Sequence, residues 1–328
     1  MVDRIRARIG RSRIGRALLA QRPTERQRMA QLRQEFAAAT RVLRAVSTKW
    51  GLRGTTMALD GEDLYFRDDA GREYLYVPEF GLRHMEFNQT NDRIELEFIS
   101  HNLAPDAVFL DVGASYGFYG ISVASDFPES TVYCFEPVPR AYECLSRNVV
   151  RNGLSNLEAL RCAVLDRDEY VSITTDSFGG DHIVGDARRT VQKVKGMTLD
   201  HFADEEGLEK VEYIKIDVEG AELLVLQGAD SIVRRFAPMI QVETTDEFAR
   251  RFGYVSRDVF QYLCDRGYNY LLMERADQVL GIGRPRRGSG DAEKDLAVAT
   301  DFIFFPRDRP PVVDYPSAFT KPLRFPYV

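Results

Sequence analysis

The sequence predicts an α/β protein built on a doubly wound, mostly parallel sheet. An apolar run at 107–110 is typical of a strand buried on both faces, and this strand, predicted at 107–112, leads into a glycine turn and then a helix-forming segment. Strand-like and helix-like segments alternate from there to about residue 306, as they do in parallel α/β folds. Acidic residues end several predicted strands, and such sheets bind their ligands at that edge.

An amphipathic helix at about 24–48 is predicted within an N-terminal arm, residues 1–55. Thr24 and Gln27 form a capping-box pattern after Pro23. Apolar residues then recur at spacings of three and four, namely Met29, Leu32, Phe36, Ala39, Leu43 and Val46. This seam is suited to packing on the chain's own core, to a homodimer or to a partner's helix.

Charge is distributed unevenly between this arm and the rest of the chain. Residues 1–55 contain 14 Lys or Arg against three acidic residues, a balance of +11. Because the whole chain carries −6, residues 56–328 carry −17. An acidic body argues against nucleic acid as a partner, since its phosphates would be repelled. The Arg-rich residues 3–22 of the arm are either a solvated, partly disordered tail or a segment that associates weakly with an anionic membrane surface.

A lead-in of residues 56–105 is expected to contain a hairpin and a helix. The strand-like runs Asp63–Arg67 and Glu73–Pro78 are joined through 68–71, where Asp and Gly favour a turn. A helix is predicted over 90–102, with its apolar side chains directed inward, namely Ile94 and Phe98, together with Leu103 just beyond its end.

The core domain is predicted at 106–306 and a Pro-rich tail at 307–328. Its predicted strands are 107–112, 131–136, 157–163, Tyr170–Thr174, Val211–Asp217, Met239–Glu243, Tyr268–Met273 and Phe302–Phe305. Its predicted helices are 116–125, 138–151, 220–234 and 256–266. The polar stretch Gly281–Lys294 is expected to be either a solvated loop or a lid.

The glycine turn favours a nucleoside over a dinucleotide. The NAD fingerprint is G-x-G-x-x-G, whereas this turn reads D-x-G-x-x-x-G from Asp111 through Gly113 to Gly117. S-adenosylmethionine has no phosphates and carries a sulfonium and an ammonium, which favour a nearby carboxylate such as Asp111. Glu136 ends the next predicted strand, where an acidic side chain accepts hydrogen bonds from ribose hydroxyls.

Two longer motifs make a family resemblance visible. The chain reads FEP-x-P at 135–139 and IKIDVEG-x-E at 214–222. With these motifs it resembles the FkbM family of S-adenosylmethionine-dependent methyltransferases, over about 85–245 and more loosely to 306. Ser115 departs from the family, which usually has Asn there. The resemblance implies a Rossmann-like class I methyltransferase fold with an antiparallel last strand. It also implies O-methylation of a hydroxyl on a sugar, glycan or small natural product.

Strand-end placement and motif matches together give the candidate site residues. The cofactor-binding candidates are Asp111, Gly113, Ser115, Gly117, Glu136, Cys162, Ala163 and Val164, the last three beside the adenine. The candidates for the base that takes the acceptor's proton are Asp217, Glu219, Glu243 and His182. Asp217, Glu219 and Glu243 would alternatively hold Mg²⁺ or Mn²⁺. In another interpretation, Glu219 and Glu222 only favour a helix N-terminus.

Cysteine usage and hydrophobicity favour a cytoplasmic protein without a membrane span. The four cysteines are scattered, without a C-x-x-C pair or metal spacing, which suits a reducing cytoplasm. No apolar run approaches the ~20 residues that a membrane span requires, and no signal peptide is evident. Two other functions stay open: another nucleoside-using transferase, such as a nucleotide-sugar enzyme, and a non-catalytic protein that binds a partner through helix 24–48.

Overall fold

The computed structural model describes residues 27–30, 33–34, 36–37, 40–41, 56–61, 63–75, 91–174, 191–273 and 285–313. Every described residue between 27 and 41 is helical, and Met29 and Phe36 of the predicted seam are half-buried. The remaining seam residues and His182 lie outside the described residues. No helix in the described ranges combines the length and apolarity that crossing a bilayer requires.

The elements alternate along the chain as the sequence predicts. The strands, in chain order, are β1 (Thr56–Asp60), β2 (Asp63–Arg67), β3 (Glu73–Leu75), β4 (Val108–Val112), β5 (Thr131–Phe135), β6 (Leu157–Leu160), β7 (Ala163–Val164), β8 (Tyr170–Thr174), β9 (Val191–Met197), β10 (Tyr213–Ile216), β11 (Met239–Glu243), β12 (Tyr268–Met273), β13 (Pro285–Arg287) and β14 (Asp301–Pro306). The helices of this part are α1 (Asn91–Asn102), α2 (Phe118–Asp126), α3 (Pro139–Arg151), α4 (Leu199–Glu205), α5 (Glu222–Gln227), α6 (Asp230–Phe236), α7 (Asp246–Ala249), α8 (Ser256–Asp265) and α9 (Ala292–Leu296).

A mixed sheet with the order β13-β12-β14-β11-β10-β4-β5-β6 forms the centre of the molecule. The strands β11, β10, β4, β5 and β6 are parallel, and β14 pairs antiparallel with β11 and β12. Helices α1 to α3 pack on one face around Phe98 and Ile121, and α4 to α6 and α8 pack on the other around Phe202 and Val225. The predicted doubly wound, mostly parallel fold with an antiparallel last strand is therefore confirmed.

The direction of winding reverses between β4 and β10. From β4 the chain adds β5 and β6 on one side, and from β10 it adds β11 on the other. A crevice at such a switch point, beyond the carboxyl ends of the strands, is where open α/β sheets bind ligands. The turns after β4 and β10 form this crevice.

The prediction of one third strand over 157–163 is wrong. Strand β6 ends at Leu160, whose carbonyl accepts from the Glu136 N–H (3.0 Å), and then the chain leaves the central sheet. Ala163 and Val164 pair in parallel with β9, which also pairs antiparallel with β8. No predicted strand corresponds to β9, so the small second sheet formed by β7, β9 and β8 is an addition to the predicted fold.

The single predicted helix over 220–234 is in fact two helices, α5 and α6. Gly228 lies against the Leu165 carbonyl, and a Cβ there would come within 2.0 Å of its oxygen. The Asp200 carboxylate accepts from two backbone N–H groups at the start of α6, at 2.8 and 2.9 Å. This contact and this cap end one helix and begin the next.

The polar stretch Gly281–Lys294 is not wholly a loop. Residues 281–284 lie outside the described part, and β13 follows as an edge strand antiparallel to β12. Helix α9 then begins at Ala292, and the Asp291 side chain caps it. Pairing covers the edge of β12, which would otherwise expose unpaired backbone groups.

The lead-in hairpin and helix are confirmed. Strands β2 and β3 pair antiparallel, and an additional strand, β1, pairs with β2. Ile94, Phe98 and Leu103 are buried against the central sheet, as predicted. The lead-in therefore packs on the α1–α3 side of the core.

Candidate active site

The turn after β4 is tightly packed against the turn after β10. Gly113 has a φ of +83°, and a Cβ on it would lie 1.8 Å from the Asp217 carbonyl oxygen. Gly117 has a φ of +92°, and a Cβ there would lie 2.4 Å from Leu145. Ser115, between them, also has a left-handed φ of +51°. Both glycines are therefore required by conformation and by space, and the serine tolerates the conformation that Asn favours.

Asp111 is a buried carboxylate under this turn. Its Oδ2 accepts from the Gly120 N–H at 3.0 Å. Its Oδ1 is buried and has no hydrogen-bond partner among the described residues. Burial raises the pKa of Asp111 to about 6. A buried polar atom without a partner requires an explanation, and the ammonium group of S-adenosylmethionine is a donor of suitable chemistry.

Glu136 follows β5 and organises the glycine turn. Its Oε2 accepts from the Ser115 N–H at 2.8 Å and its Oε1 from the Val138 N–H at 2.7 Å. Burial raises the pKa of Glu136 to about 7. A carboxylate has about four lone-pair positions, so two backbone bonds leave room for ribose hydroxyls. The ribose-binding role of Glu136 stays a prediction, and the structure adds a second role, which is to hold the glycine turn through the Ser115 N–H.

The predicted adenine residues lie where the chain leaves β6. The Cys162 Sγ contacts the Met197 Sδ at 3.3 Å. The side chains of Cys162 and Val164 belong to the core on the α4–α6 side, and Ala163 is buried beside β9. Any contact from Cys162 or Val164 to an adenine would therefore come from the backbone, and the predicted role stays a prediction.

The turn after β10 contains backbone strain. Glu219 has a φ of +54°, a left-handed value that costs a non-glycine residue about 1–3 kcal/mol. Gly220 has a φ of +110°, and a Cβ there would lie 2.6 Å from the Phe248 carbonyl oxygen. Burial raises the pKa of Glu219 to about 7. Strain of this kind is typical of functional sites.

Glu222 and Tyr254 hold this strained turn in place. Glu222 is 1% exposed, and its Oε1 accepts from the Gly220 N–H at 2.7 Å. The Tyr254 hydroxyl lies 2.6 Å from the Gly220 carbonyl oxygen and accepts from the Leu223 N–H at 3.1 Å. Glu222 therefore supports the turn and the start of α5, in agreement with the interpretation that it favours a helix N-terminus.

Lys215 is a central residue that the sequence analysis did not select. Its Nζ donates to Asp217 Oδ2 at 3.1 Å and lies 4.5 Å from the centre of the Tyr119 ring. Burial alone would lower the pKa of Lys215, but Asp217, Asp111 and Glu95 raise it, so the ammonium stays charged. A single lysine in the apolar run of β10 was the signal that could have identified it.

Beneath Lys215 lies a buried polar network on the same face of the sheet. Glu95, on α1, accepts from the Tyr119 hydroxyl and the Gln241 side-chain amide. The Tyr213 hydroxyl donates to Gln241 Oε1 at 3.0 Å. Burial raises the pKa of Glu95 above its ordinary value. The network supports the side chains at the strand ends from below.

Glu243 ends β11, beside the end of β10. It is the register partner of Asp301 on β14. Repulsion from Asp217, and then from Asp301 and burial, raises the pKa of Glu243 well above its ordinary value. The structure therefore brings Asp217 and Glu243 together at one edge, as the strand-end argument predicts.

The predicted metal site does not fit this arrangement. The residues that the structure describes contain no group of three His, Cys, Asp or Glu side chains able to hold a metal ion. Asp217, the centre of the predicted set with Glu219 and Glu243, is already bound to the Lys215 ammonium. A second cation at that oxygen would be repelled.

Known proteins resemble the part of the chain that contains this site. Residues 111–270 match the family model described as the methyltransferase FkbM domain. Methyltransferase sdnD of Sordaria araneosa is 25% identical over 176 residues, 44% of this chain and 68% of that protein. The 2-O-methyltransferase NoeI of Sinorhizobium fredii is 24% identical over 173 residues, 47% of this chain and 70% of that protein. The 31-O-demethyl-FK506 methyltransferase FkbM of Streptomyces tacrolimicus is 26% identical over 160 residues, 39% and 61% of the two chains.

Proposed function

Residues 111–270 belong to the FkbM family of S-adenosylmethionine-dependent methyltransferases, and from this premise we propose that the protein methylates a hydroxyl group of a sugar, glycan or small natural product. The names of two relatives describe methylation at oxygen, one at a 2-O position and one on FK506. Their matches cover less than half of this chain, so the acceptor class is the proposal and the methyltransferase domain is its basis.

The buried Asp111 Oδ1 beside a two-glycine turn is the observation that carries the proposal. Asp111, the turn from Gly113 to Gly117 and Glu136 would hold S-adenosylmethionine. The negative charge of Asp111 is complementary to the positive charges of the cofactor, and Glu136 would accept hydrogen bonds from its ribose hydroxyls. The turn brings the backbone close where a side chain would collide.

The carboxylates at the ends of β10 and β11 are the proposed acceptor site. Bound S-adenosylmethionine supplies a methyl carbon made electrophilic by its sulfonium. An alcohol is a weak acid, so a positioned base must take its proton as the oxygen attacks. Glu243 is the proposed base, because its raised pKa makes the ionised carboxylate a stronger base. Asp217, held by Lys215, would orient the hydroxyl and contributes the charge that raises this pKa.

The location and partners proposed for the protein extend the same account. All four cysteines are free, which suits the reducing cytoplasm. The basic arm, residues 1–55, would lie at an anionic membrane surface or pack through its helical seam on a second copy. Nucleic acid is not proposed as an acceptor, because the body of the chain is strongly acidic.

A methyl-transfer assay on a panel of sugars and polyketide alcohols tests this function. The wild type should transfer label from S-adenosylmethionine to at least one hydroxyl, with kcat rising as pH passes upward through the pKa of Glu243, because the base must be ionised. Glu243→Gln should lower kcat by about 100-fold or more, the usual worth of a general base. Its cofactor affinity should be unchanged. Glu129→Gln, at an exposed position, is the matched control.

Two results would replace the proposal. Binding of UDP-sugars without binding of S-adenosylmethionine would indicate a nucleotide-sugar enzyme. A folded protein that binds neither would indicate a non-catalytic partner-binding role for helix 24–48.

A further inference from the structure

The β2–β3 hairpin (residues 63–75) lies outside the matched residues 111–270, yet it is bonded to the methyltransferase domain. Two asparagines, Asn148 on α3 and Asn152 just after its end, take the place of a neighbouring strand along β3. Asn148 Oδ1 accepts from the Leu75 N–H at 2.7 Å. Asn152 Oδ1 accepts from the Glu73 N–H at 2.8 Å, and its Nδ2 donates to the Glu73 carbonyl at 2.7 Å. The hairpin edge is therefore satisfied by side chains of the core domain.

Asn148 makes a second contact, which Asn152 does not share. Its Nδ2 donates to the Tyr116 carbonyl oxygen at 2.9 Å. Tyr116 lies between Ser115 and Gly117, which both have left-handed φ values. Asn148 is fully buried, so one amide joins the hairpin directly to that turn.

Tyr74 supplies an apolar contact between the same two segments. Its ring lies 6.0 Å from that of Tyr116, edge-on, and 5.8 Å from that of Phe118. Its hydroxyl lies 3.3 Å from the Ser122 Oγ on α2. The side chain is 2% exposed. Tyr74 therefore covers the end of the glycine turn and the start of the helix that follows it.

Ion pairs fix the rest of the hairpin to the helices on either side of that turn. Arg151 on α3 binds Glu73 (2.5 Å), and Arg72 binds Asp126 at the end of α2 (3.2 Å). Arg72 is in turn held by the buried Asp68 at 2.7 Å. The hairpin spans α2 and α3, the two helices between which the glycine turn is held.

We propose that the β2–β3 hairpin is a brace that preorganises the glycine turn, residues 113–117. Asn148 is the positioning residue that connects the hairpin to this turn. The inference rests on the proposed function, in which this turn holds S-adenosylmethionine. A turn with three left-handed residues, one of them the non-glycine Ser115, has alternatives of lower local strain. Contacts that fix it before the cofactor arrives reduce the ordering cost of binding.

Asn148→Ala and Asn152→Ala form a matched pair of variants for the test. Each removes a side chain that bonds to β3, and only the first removes a bond to the turn. Calorimetry should show S-adenosylhomocysteine binding weakened about tenfold by Asn148→Ala, the usual range for one buried hydrogen bond. Asn152→Ala should stay within about twofold of the wild type. At saturating S-adenosylmethionine, kcat should be the same in both.

Hydrogen exchange of the cofactor-free protein gives an independent measurement. Amides of the peptide that spans 113–117 should lose protection in Asn148→Ala and keep it in Asn152→Ala. Equal effects of the two variants on cofactor affinity or on hydrogen exchange of the turn would overturn the proposal that the hairpin braces it. If Asn148→Ala does not fold, Asn148→Ser replaces it, because a serine hydroxyl cannot span both segments. A wild type that does not bind the cofactor would overturn the proposed function, whereas the exchange result would still decide whether the turn is braced.

Discussion

Lys215 shows how one residue can control the electrostatics of the whole site. Its ammonium is buried among Asp111, Asp217, Glu95 and Glu243, and it binds Asp217 directly. Buried carboxylates are costly unless a cation compensates them. Lys215 therefore supplies the counter-charge for the carboxylates around it.

Lys215→Met tests this role at the residue scale. Loss of the ammonium removes the group that lowers the pKa of Glu243, so the pH at which kcat rises should move upward. Stability should fall by about 3–5 kcal/mol, the usual cost of leaving a buried charge unpaired. The measurements are pH–rate profiles and chemical denaturation.

Lys210→Met is the control for that prediction. Lys210 forms an exposed ion pair with Asp106, and such pairs contribute about 0–1 kcal/mol. Its pH profile should match that of the wild type. An unshifted profile in Lys215→Met would show that the lysine is only a structural counter-ion.

At the scale of elements, the turns after β4 and β10 act as one unit. Gly113 is packed against the Asp217 carbonyl, so the turn after β4 and the turn after β10 cannot move independently. This contact explains why a glycine is needed there beyond its positive φ.

Gly113→Ala and Gly153→Ala separate the need for a left-handed conformation from the need for space. Both positions have positive φ, but a Cβ at Gly153 meets nothing within 4 Å. Gly153→Ala should therefore cost about 1–2 kcal/mol of stability, for the left-handed conformation alone. Gly113→Ala should cost more than that and also abolish binding of S-adenosylhomocysteine. Thermal unfolding and calorimetry measure both effects, and equal costs would contradict the contact between the turns.

The sequence predicts elements well where one local pattern decides them. Strands β11 and β12 have the predicted bounds, because apolar runs bounded by turn residues identify them. It fails where a distant contact decides. Helix α5 ends at Gln227, where Gly228 packs against the Leu165 carbonyl, and β6 ends at Leu160, after which Ala163 pairs with β9. No local pattern contains those partners.

Within the site, the sequence identifies the strand-end residues but not those that support them. Asp111, Glu136, Asp217 and Glu243 follow from strand ends and motifs. Glu95 is on a helix of the lead-in, and it reaches the site only by packing against Gln241 and Tyr119. Tertiary packing of this kind cannot be deduced from periodicity.

At the scale of the whole molecule, the proposed cofactor site and the proposed acceptor site lie on the two sides of one switch point, between β4 and β10. The proposed cofactor residues lie at the end of or follow strands β4 and β5, and the proposed acceptor carboxylates follow β10 and end β11. The lead-in hairpin braces the first side, and the Glu95 network supports the second. Both supports include residues outside the matched 111–270, namely the hairpin and Glu95.

Glu136 is the central residue of the proposed cofactor site, because it organises the glycine turn and would bind the ribose. Its ionised form is the better acceptor for ribose hydroxyls. The pKa of Glu136, raised to about 7, implies that affinity is full above this pH and falls as pH decreases through it.

Calorimetry of S-adenosylmethionine and S-adenosylhomocysteine binding, on the wild type and Glu136→Ala at pH values on either side of that pKa, tests the account most directly. The expected result is micromolar binding by the wild type that weakens at the lower pH. In Glu136→Ala, binding should weaken by about 1.5–3 kcal/mol, the scale of hydrogen bonds to a charged group, and should lose this pH dependence. Absence of binding by folded wild type, or equal binding by the variant, would contradict the account.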